Sequence, residues 1–164
     1  MEETKEQGKH NPAPYSSVLV MGIGNILLSD EGVGIRIIEA LQKKEYPDYV
    51  EVIDGGTGTL DLLEIISNRE RVIIIDAVTG GSKPGTVYRF TPDDIRIKKL
   101  APVSTHQFGF MEIIDMAKLM GDLPADIVII GIEPEILNWG MDLSPEVLAV
   151  IPKVLKLIEN ELLI

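Results

Sequence analysis

The stretch "MGIGNILLSDEGVG" (Met21–Gly34) decides how the chain is interpreted, because it joins the apolar run "SSVLV" to a helical pattern. A strand, a glycine-rich loop and a helix in this order are typical of the first unit of a dinucleotide-binding sheet. The first two positions of the G-x-G-x-x-G fingerprint are glycine, but the third is Leu27. Asp30 and Glu31 then stand where a phosphate would meet the N-terminus of the helix. Two carboxylates at that point repel a phosphate and attract a cation.

Apolar strands alternate with amphipathic helices along the rest of the chain. Continuous β-branched runs predict buried strands, and apolar residues at helical spacing predict helices. The predicted strands are 17–23, 49–54, 71–76, 86–90 and 125–132, and the predicted helices are 32–45, 59–68, 106–121 and 144–163. This order predicts an α/β fold: a single three-layer domain whose mostly parallel, twisted sheet has about five strands, with helices on both faces and one antiparallel strand, 86–90.

The first part of the chain differs in composition from the rest. Residues 1–17 are charged and polar with prolines, which predicts a disordered N-terminal arm before an α/β domain at 18–164. This segment lacks the apolar run of a signal peptide, and no run in the chain approaches the roughly 20 apolar residues that span a bilayer. We therefore expect a cytoplasmic protein without membrane insertion.

Charge and residue counts exclude several function classes. The net charge of −11, from 15 basic and 26 acidic residues, argues against a nucleic-acid or anionic-membrane partner, which needs a basic face. Because the chain has no cysteine, it has no disulfide, no thiolate metal site and no cysteine nucleophile. Of its two histidines, His10 lies in the arm. Any imidazole chemistry in the folded domain therefore falls to His106.

Acidic residues follow the predicted strands at their carboxyl ends. Asp30 and Glu31 follow the first strand, Asp54 ends the second and Asp76 ends the third, while His106 opens a later helix. If these strands are parallel neighbours, the carboxylates gather at one edge of the sheet, and oxygens with one imidazole make a divalent-cation site. Each residue alone also fits a structural role, as a helix cap or a turn residue. The residues by themselves therefore predict a cation or catalytic site at this edge.

Several segments, taken together and in order, resemble the hydrogenase maturation endopeptidases. The resemblance implies an α/β fold with a sheet between helices. It also implies an enzyme that removes a short C-terminal extension from the large-subunit precursor of a [NiFe] hydrogenase after nickel insertion. The matching segments are "GIGNILLSDEGVGIRIIEAL", "VIDGGTGTLDLLEII", "RVIIIDAV", "PGTVYRF", "STHQFGF" and "GIEPEILNWGMDLSPEV".

The same resemblance implies which residues carry the function. Its nickel-recognising positions correspond to Glu31, Asp76 and His106, and the nickel ion is carried by the substrate protein instead of being held permanently. Two catalytic routes stay open: the metal polarises the carbonyl or activates a water, or Asp76 acts as general base. Asp54 matches an acid in the family's "DGGT" segment and is a weaker catalytic candidate.

Two other functions remain as alternatives at this point. A dinucleotide-binding oxidoreductase is favoured by Asp54 at the end of the second strand, where a ribose-binding acid belongs, and opposed by Leu27 and the acidic pair. A non-catalytic nickel-binding chaperone of hydrogenase assembly would use the same three ligands. For both the endopeptidase and the chaperone, the expected partner is the large-subunit precursor.

Overall fold

The computed structural model describes residues 17–58, 60–94, 101–102 and 105–163, with the side chains of 101–102 and 105–109 left out. The predicted N-terminal arm lies almost wholly outside this range. The elements are β1 (Val18–Gly22), a 3-10 turn (Ser29–Gly32), α1 (Val33–Leu41), β2 (Val50–Asp54), α2 (Leu62–Ile66), β3 (Arg71–Thr79), β4 (Val87–Phe90), β5 (Ala101–Pro102), α3 (Thr105–Met120), β6 (Asp126–Ile132) and α4 (Pro145–Leu162).

Five strands lie side by side in the order β2-β1-β3-β6-β4. The first four are mutually parallel and β4 runs antiparallel to β6, as the sequence predicts. The two-residue strand β5 is an addition that no sequence pattern indicates, and it pairs antiparallel with the end of β3. The chain passes from β1 to β2 on one side and then to β3 on the other side, so the strand order reverses at β1. Sheets of this kind bind ligands at such a point, beyond the carboxyl ends of the strands.

Side chains of the central strands alternate between two cores, one on each face of the sheet. On one face Leu19, Val72 and Ile74 pack with residues of α2 and α3. On the other, Ile73 and Ile75 pack with residues of α1 and α4. Both faces are thus covered by helices, which confirms the predicted three-layer arrangement and explains why the strands read as continuous apolar runs.

Strand β3 is longer than its apolar run suggests. The prediction that it ends at Asp76 is wrong, because the strand continues to Thr79. Two pairings support the extension: Ala77 lies opposite Ile132 of β6, and Val78 lies opposite Pro102 of β5. Asp76 therefore sits within a paired strand instead of in a loop, and its backbone position is fixed by hydrogen-bonded neighbours.

Two predicted helices are shorter than their patterns. In place of the helix predicted over 32–45, α1 begins at Val33, directly after the 3-10 turn, and ends at Leu41, where exposed polar residues begin. The pattern over 59–68 becomes the five residues of α2. In both cases only the turns that bury apolar residues against the sheet are helical, because packing supplies most of the stability of short helices.

An ion-pair cluster closes the opposite, amino edge of the sheet. Glu161 of α4 is buried and pairs with Arg71 of β3 and Arg89 of β4, and Arg71 also lies 3.1 Å from Asp126. The Arg89 guanidinium holds the pKa of the Glu161 carboxyl below its usual value, with a further contribution from Arg71. Charged groups at this edge are thus neutralised within the chain.

No helix among the described residues is long and apolar enough to cross a membrane.

The glycines of the opening stretch allow α1 to lie directly against the strand ends. A Cβ atom on Gly34 would lie 2.4 Å from the carbonyl oxygens of both Ile23 and Ile75, and one on Gly22 would lie 2.4 Å from the carbonyl oxygen of Gly34. These are backbone atoms of packed elements, which cannot move aside singly. The glycine pattern therefore serves helix–strand packing, which is also the role of the third glycine in dinucleotide-binding units.

We expect Gly34→Ala to destabilise the domain by about 3 kcal/mol, since overpacking a tight site costs roughly that much. Gly121→Ala is the matched control, because Gly121 has open space but a φ of 76°. Its cost is limited to the left-handed backbone, about 1–2 kcal/mol. Urea denaturation of both variants measures the difference, and a Gly34 variant no less stable than the Gly121 variant would contradict the packing role.

Candidate active site at the carboxyl edge of the sheet

The acidic segments predicted to converge lie at the same edge of the sheet. Strand β1 lies between β2 and β3, with Gly22 opposite both Asp54 and Ile75. Asp76 is one residue farther along β3. The 3-10 turn that carries Asp30 and Glu31 contacts β3 as well. The four acidic residues therefore lie at one edge of the sheet, although Asp76 is three residues before the end of β3.

Asp76 is a buried carboxylate on the face covered by α2 and α3. Its neighbours at alternate positions, Ile74 and Val78, belong to the core on that face. The residue is 6% exposed, and its Oδ1 accepts a hydrogen bond of 2.8 Å from the Ala77 amide. A carboxylate held in a paired strand and shielded from bulk water is rigidly positioned, as a metal ligand or a catalytic base requires.

Glu31 is the second buried carboxylate at this edge. It is 4% exposed and lies in the 3-10 turn, whose four residues are all buried. Its amide donates to Leu28 O at 3.2 Å and its carbonyl accepts from Asn25 N at 3.2 Å, so both sides of its backbone are fixed. The turn leads directly into α1, and the positive end of that helix favours a carboxylate at this place.

His106 lies in the first turn of α3, and its side chain is outside the described residues. Its backbone position still follows from β5, because Pro102 lies opposite Val78. His106 is four positions after Pro102 in the chain, a reach of at most about 14 Å. Helix α3 also packs on the face toward which Asp76 projects. The start of α3 is thereby brought to the end of β3.

Asp30, although adjacent to Glu31, has a structural task. It is fully buried, and its carboxylate accepts four hydrogen bonds. Oδ2 accepts from the Glu135 amide at 2.9 Å, the Ile136 amide at 2.8 Å and the Ser144 hydroxyl at 2.7 Å, and Oδ1 accepts from the Ser144 amide at 2.7 Å. The segment between β6 and α4 is thereby fixed to the first loop.

Asp54 is separated from Asp76 by the geometry of the sheet. Strand β1 lies between them, which puts their backbones about 10 Å apart, or two strand spacings. Asp54 is level with Ile75, so alternation directs it toward the face opposite that of Asp76. It is exposed, and its Oδ1 accepts a 2.7 Å hydrogen bond from the Gly56 amide. This is the geometry of a turn residue, and a catalytic role for Asp54 gains no support from it.

Sequence reasoning missed Glu133, the residue that follows β6 at the same edge. It is buried, and its Oε2 accepts hydrogen bonds from the Tyr88 hydroxyl at 2.6 Å and the Gly80 amide at 2.7 Å. Burial, followed by the Glu133 carboxylate, raises the pKa of Tyr88 above its ordinary value. An acid directly after an apolar strand, with a tyrosine on the adjacent antiparallel strand, was the available signal. The contact ties the loop after β3 to β4 and β6.

The described carboxylates form part of the predicted metal-ligand set. Within the described ranges, no three His, Asp or Glu residues are grouped so as to hold a metal ion. The predicted trio of Glu31, Asp76 and His106 includes a side chain outside those ranges, so it stays a prediction. Glu31 and Asp76 would offer hard oxygen donors at one edge, and an imidazole at the start of α3 would complete a mixed oxygen and nitrogen set suited to a divalent ion.

We expect Asp30→Asn to cost about 2–4 kcal/mol of stability. An amide nitrogen at either oxygen position would face a backbone N–H, and each buried donor left without an acceptor costs about 1–3 kcal/mol. Asp54→Asn is the control, because the amide oxygen can still accept from Gly56. Thermal and urea unfolding compare the two variants, and the expectation fails if the Asp30 variant is as stable as the Asp54 variant.

Comparisons with known proteins agree with this architecture. The family model for the hydrogenase maturation proteases (HycI) matches residues 35–161. The Hydrogenase 2 maturation protease of Escherichia coli K12 is 37% identical over 141 residues, which cover 85% of this chain and 86% of the relative.

Solved structures give the same result. The hydrogenase maturating endopeptidase HybD from E. coli superposes with a TM-score of 0.80 at 37% identity, over 86% of this chain and 88% of that one. The [NiFe] hydrogenase maturation protease HybD from Thermococcus kodakarensis gives 0.73 at 32% identity, over 87% and 97%. A family-model match over most of the chain, together with relatives above 30% identity, establishes that this chain belongs to the hydrogenase maturation protease family and is an endopeptidase.

Proposed function

We propose that this endopeptidase removes the C-terminal extension of a [NiFe] hydrogenase large-subunit precursor after nickel has been inserted, and that Glu31, Asp76 and His106 recognise the precursor-bound nickel. The observation that carries the proposal is the pair of buried carboxylates, Glu31 and Asp76, at the edge of the sheet where α3 begins. Parallel sheets of this kind bind ligands beyond the carboxyl ends of their strands, so two buried carboxylates at that edge favour a functional role.

The donor types support sensing of a metal held by the partner. Two carboxylates and one imidazole leave coordination positions open, and the chain has no cysteine to supply a soft donor. Thiolates of the precursor would complete the coordination shell, so a strong site exists only in the complex. Cleavage is then coupled to the presence of nickel in the precursor, and the nickel is the partner's cargo instead of a resident cofactor.

The reaction is hydrolysis of one peptide bond. Water adds to the carbonyl carbon, the carbon–nitrogen bond breaks, and the leaving amine takes up a proton. Asp76, held rigidly in β3, is suited to accept the proton of the attacking water as general base. The alternative is that the nickel polarises the carbonyl or activates the water, with Asp76 as a ligand. Both routes require the negative charge of Asp76.

We expect Asp76→Asn to lower precursor processing by at least about 100-fold while the protein stays folded, since a positioned general base contributes about 10²–10⁴-fold. The matched control is Asp126→Asn at the opposite edge of the sheet, which should process normally. Mass spectrometry of the precursor measures cleavage, and circular dichroism checks the fold. Full processing by the Asp76 variant would contradict the role of Asp76 as general base or metal ligand. An unfolded variant would favour a structural role for Asp76.

Nickel dependence tests the sensing step. Metal-free enzyme should cleave nickel-loaded precursor and leave nickel-free precursor intact. Glu31→Gln and His106→Ala should each reduce cleavage of the loaded form by more than about tenfold, since even residues that only orient metal ligands contribute 10–100-fold. Glu39→Gln, on the exposed side of α1 in an ion pair with Arg36, is the control.

Equal cleavage of loaded and nickel-free precursor by the parent would refute sensing, even if the protease assignment survived. Binding of the loaded precursor without any cleavage would instead favour the non-catalytic chaperone.

A further inference from the structure

A patch of exposed apolar side chains lies beside the candidate site, in the segment between β6 and α4. Trp139, the only tryptophan of the chain, is 81% exposed. Three other large apolar residues of the segment and one residue of the first loop are also substantially exposed. We refer to these five residues as the Trp139 patch: Leu27, Ile136, Leu137, Trp139 and Met141.

Hydrogen bonds at Ile136, Asn138 and Gly140 fix the backbone of the segment that carries the patch. The Ser29 amide donates to Gly140 O at 2.7 Å, and the Ser29 hydroxyl donates to Asn138 O at 2.8 Å. The Gly140 amide donates to Leu27 O at 2.9 Å, which joins the two parts of the patch. The Asp30 carboxylate adds the bond from the Ile136 amide. Because the loop is fixed in this way, binding through its side chains does not require its backbone to be ordered first.

This arrangement is unfavourable for a surface that only faces water. A fully buried carboxylate and a residue with positive φ, Ser29 at 52°, hold a loop that exposes a tryptophan and three other apolar side chains. Contiguous exposed apolar patches rimmed by polar residues typically mark interaction sites, and rigidly held aromatic residues are the usual anchors of such sites.

The patch and the candidate site share one segment of chain. Ser29 and Asp30, which hold the patch, directly precede Glu31 in the same 3-10 turn. A protein that brings a metal ion to Glu31 therefore lies within reach of Trp139. The polar residues around the patch are largely acidic, because Glu135, Asp142 and Glu146 are exposed. Arg36 donates to Met141 O, and its charge is paired with Glu39.

We propose that the Trp139 patch is a docking surface for the folded body of the large-subunit precursor, separate from the peptide that is cut. The complementary surface on the precursor would be an apolar depression bordered by lysine or arginine, close to the bound nickel. This inference rests on the proposed function and adds a second, metal-independent contact to it. Docking through the patch orients the nickel toward Glu31 and the extension toward Asp76.

The first test separates binding from chemistry. Trp139→Ala should raise KM for the nickel-loaded precursor by roughly 30-fold, which is the loss expected for a hot-spot residue of about 2 kcal/mol, and should leave kcat within about twofold. Leu137→Ser should raise KM less, and its matched control is Leu119→Ser. Leu119 is 90% exposed near the end of α3, at the opposite edge of the sheet. The control should change neither parameter.

The second test needs no substitution, because the chain has a single tryptophan. Enzyme labelled with 5-fluorotryptophan gives one ¹⁹F resonance, from Trp139. Adding nickel-loaded precursor should shift this resonance and reduce its sensitivity to exchange of H₂O for D₂O. Nickel-free precursor should cause the same change at higher concentration, because the docking contact does not require the metal.

Each outcome decides the question. An unchanged KM for Trp139→Ala, or a fall in kcat alone, overturns docking, as does a ¹⁹F resonance that stays solvent-exposed in the presence of precursor. If the parent is a dimer in sedimentation experiments and Trp139→Ala is a monomer with normal KM, the patch is a self-association surface. If the parent cleaves no precursor, the proposed function fails, and the ¹⁹F experiment alone then decides whether the precursor docks.

Discussion

The carboxylate of Asp30 is the interaction on which the candidate site depends. It is fully buried and accepts four hydrogen bonds from a segment more than 100 residues away in sequence. Such a carboxylate is stable in the interior only because its lone pairs are nearly all used. It fixes the segment after β6 to the loop after β1, so the Trp139 patch and Glu31 have a defined relation to each other. Backbone and hydroxyl hydrogen bonds from Ser29 and Gly140 join the same two loops, and the Asp30 carboxylate adds the buried contacts with Glu135, Ile136 and Ser144.

The close approach of α1 to the sheet supplies the second constraint. Gly22 and Gly34 let the helix begin directly over the ends of β1 and β3, and a side chain at either position would collide with backbone. This brings the 3-10 turn against β3, where Asp76 lies. The same glycine-rich sequence that resembles a phosphate-binding loop thus presents carboxylates instead. The residues around the glycines, chiefly Asp30 and Glu31, account for this difference.

Most of the fold could be predicted because apolar runs such as "VIIID" and "DIVIIGI" have the strand signature on both faces. The convergence of Glu31 and Asp76 also followed, since it requires only parallel neighbouring strands. Strand β5 could not be predicted, because two residues are too few to show a periodicity. Since β5 pairs with the last two residues of β3, the end of β3 at Thr79 could not be predicted either. No sequence pattern indicates that Asp30 and Glu31 have different roles. Adjacent acids look alike in sequence, and only the contacts with Ser144 and Ile136 distinguish them.

The two edges of the sheet neutralise their acids in different ways, and this gives the molecule a directional electric field. At the amino edge, Glu161 and Asp126 are paired with arginines. At the carboxyl edge, Asp30, Asp54 and Glu133 accept hydrogen bonds from amide and hydroxyl groups, which carry no positive charge. In a chain of net charge −11, this asymmetry rotates a cationic surface toward the carboxyl edge before contact. Its range is the Debye length, about 8 Å at physiological ionic strength, so association should slow as salt is added.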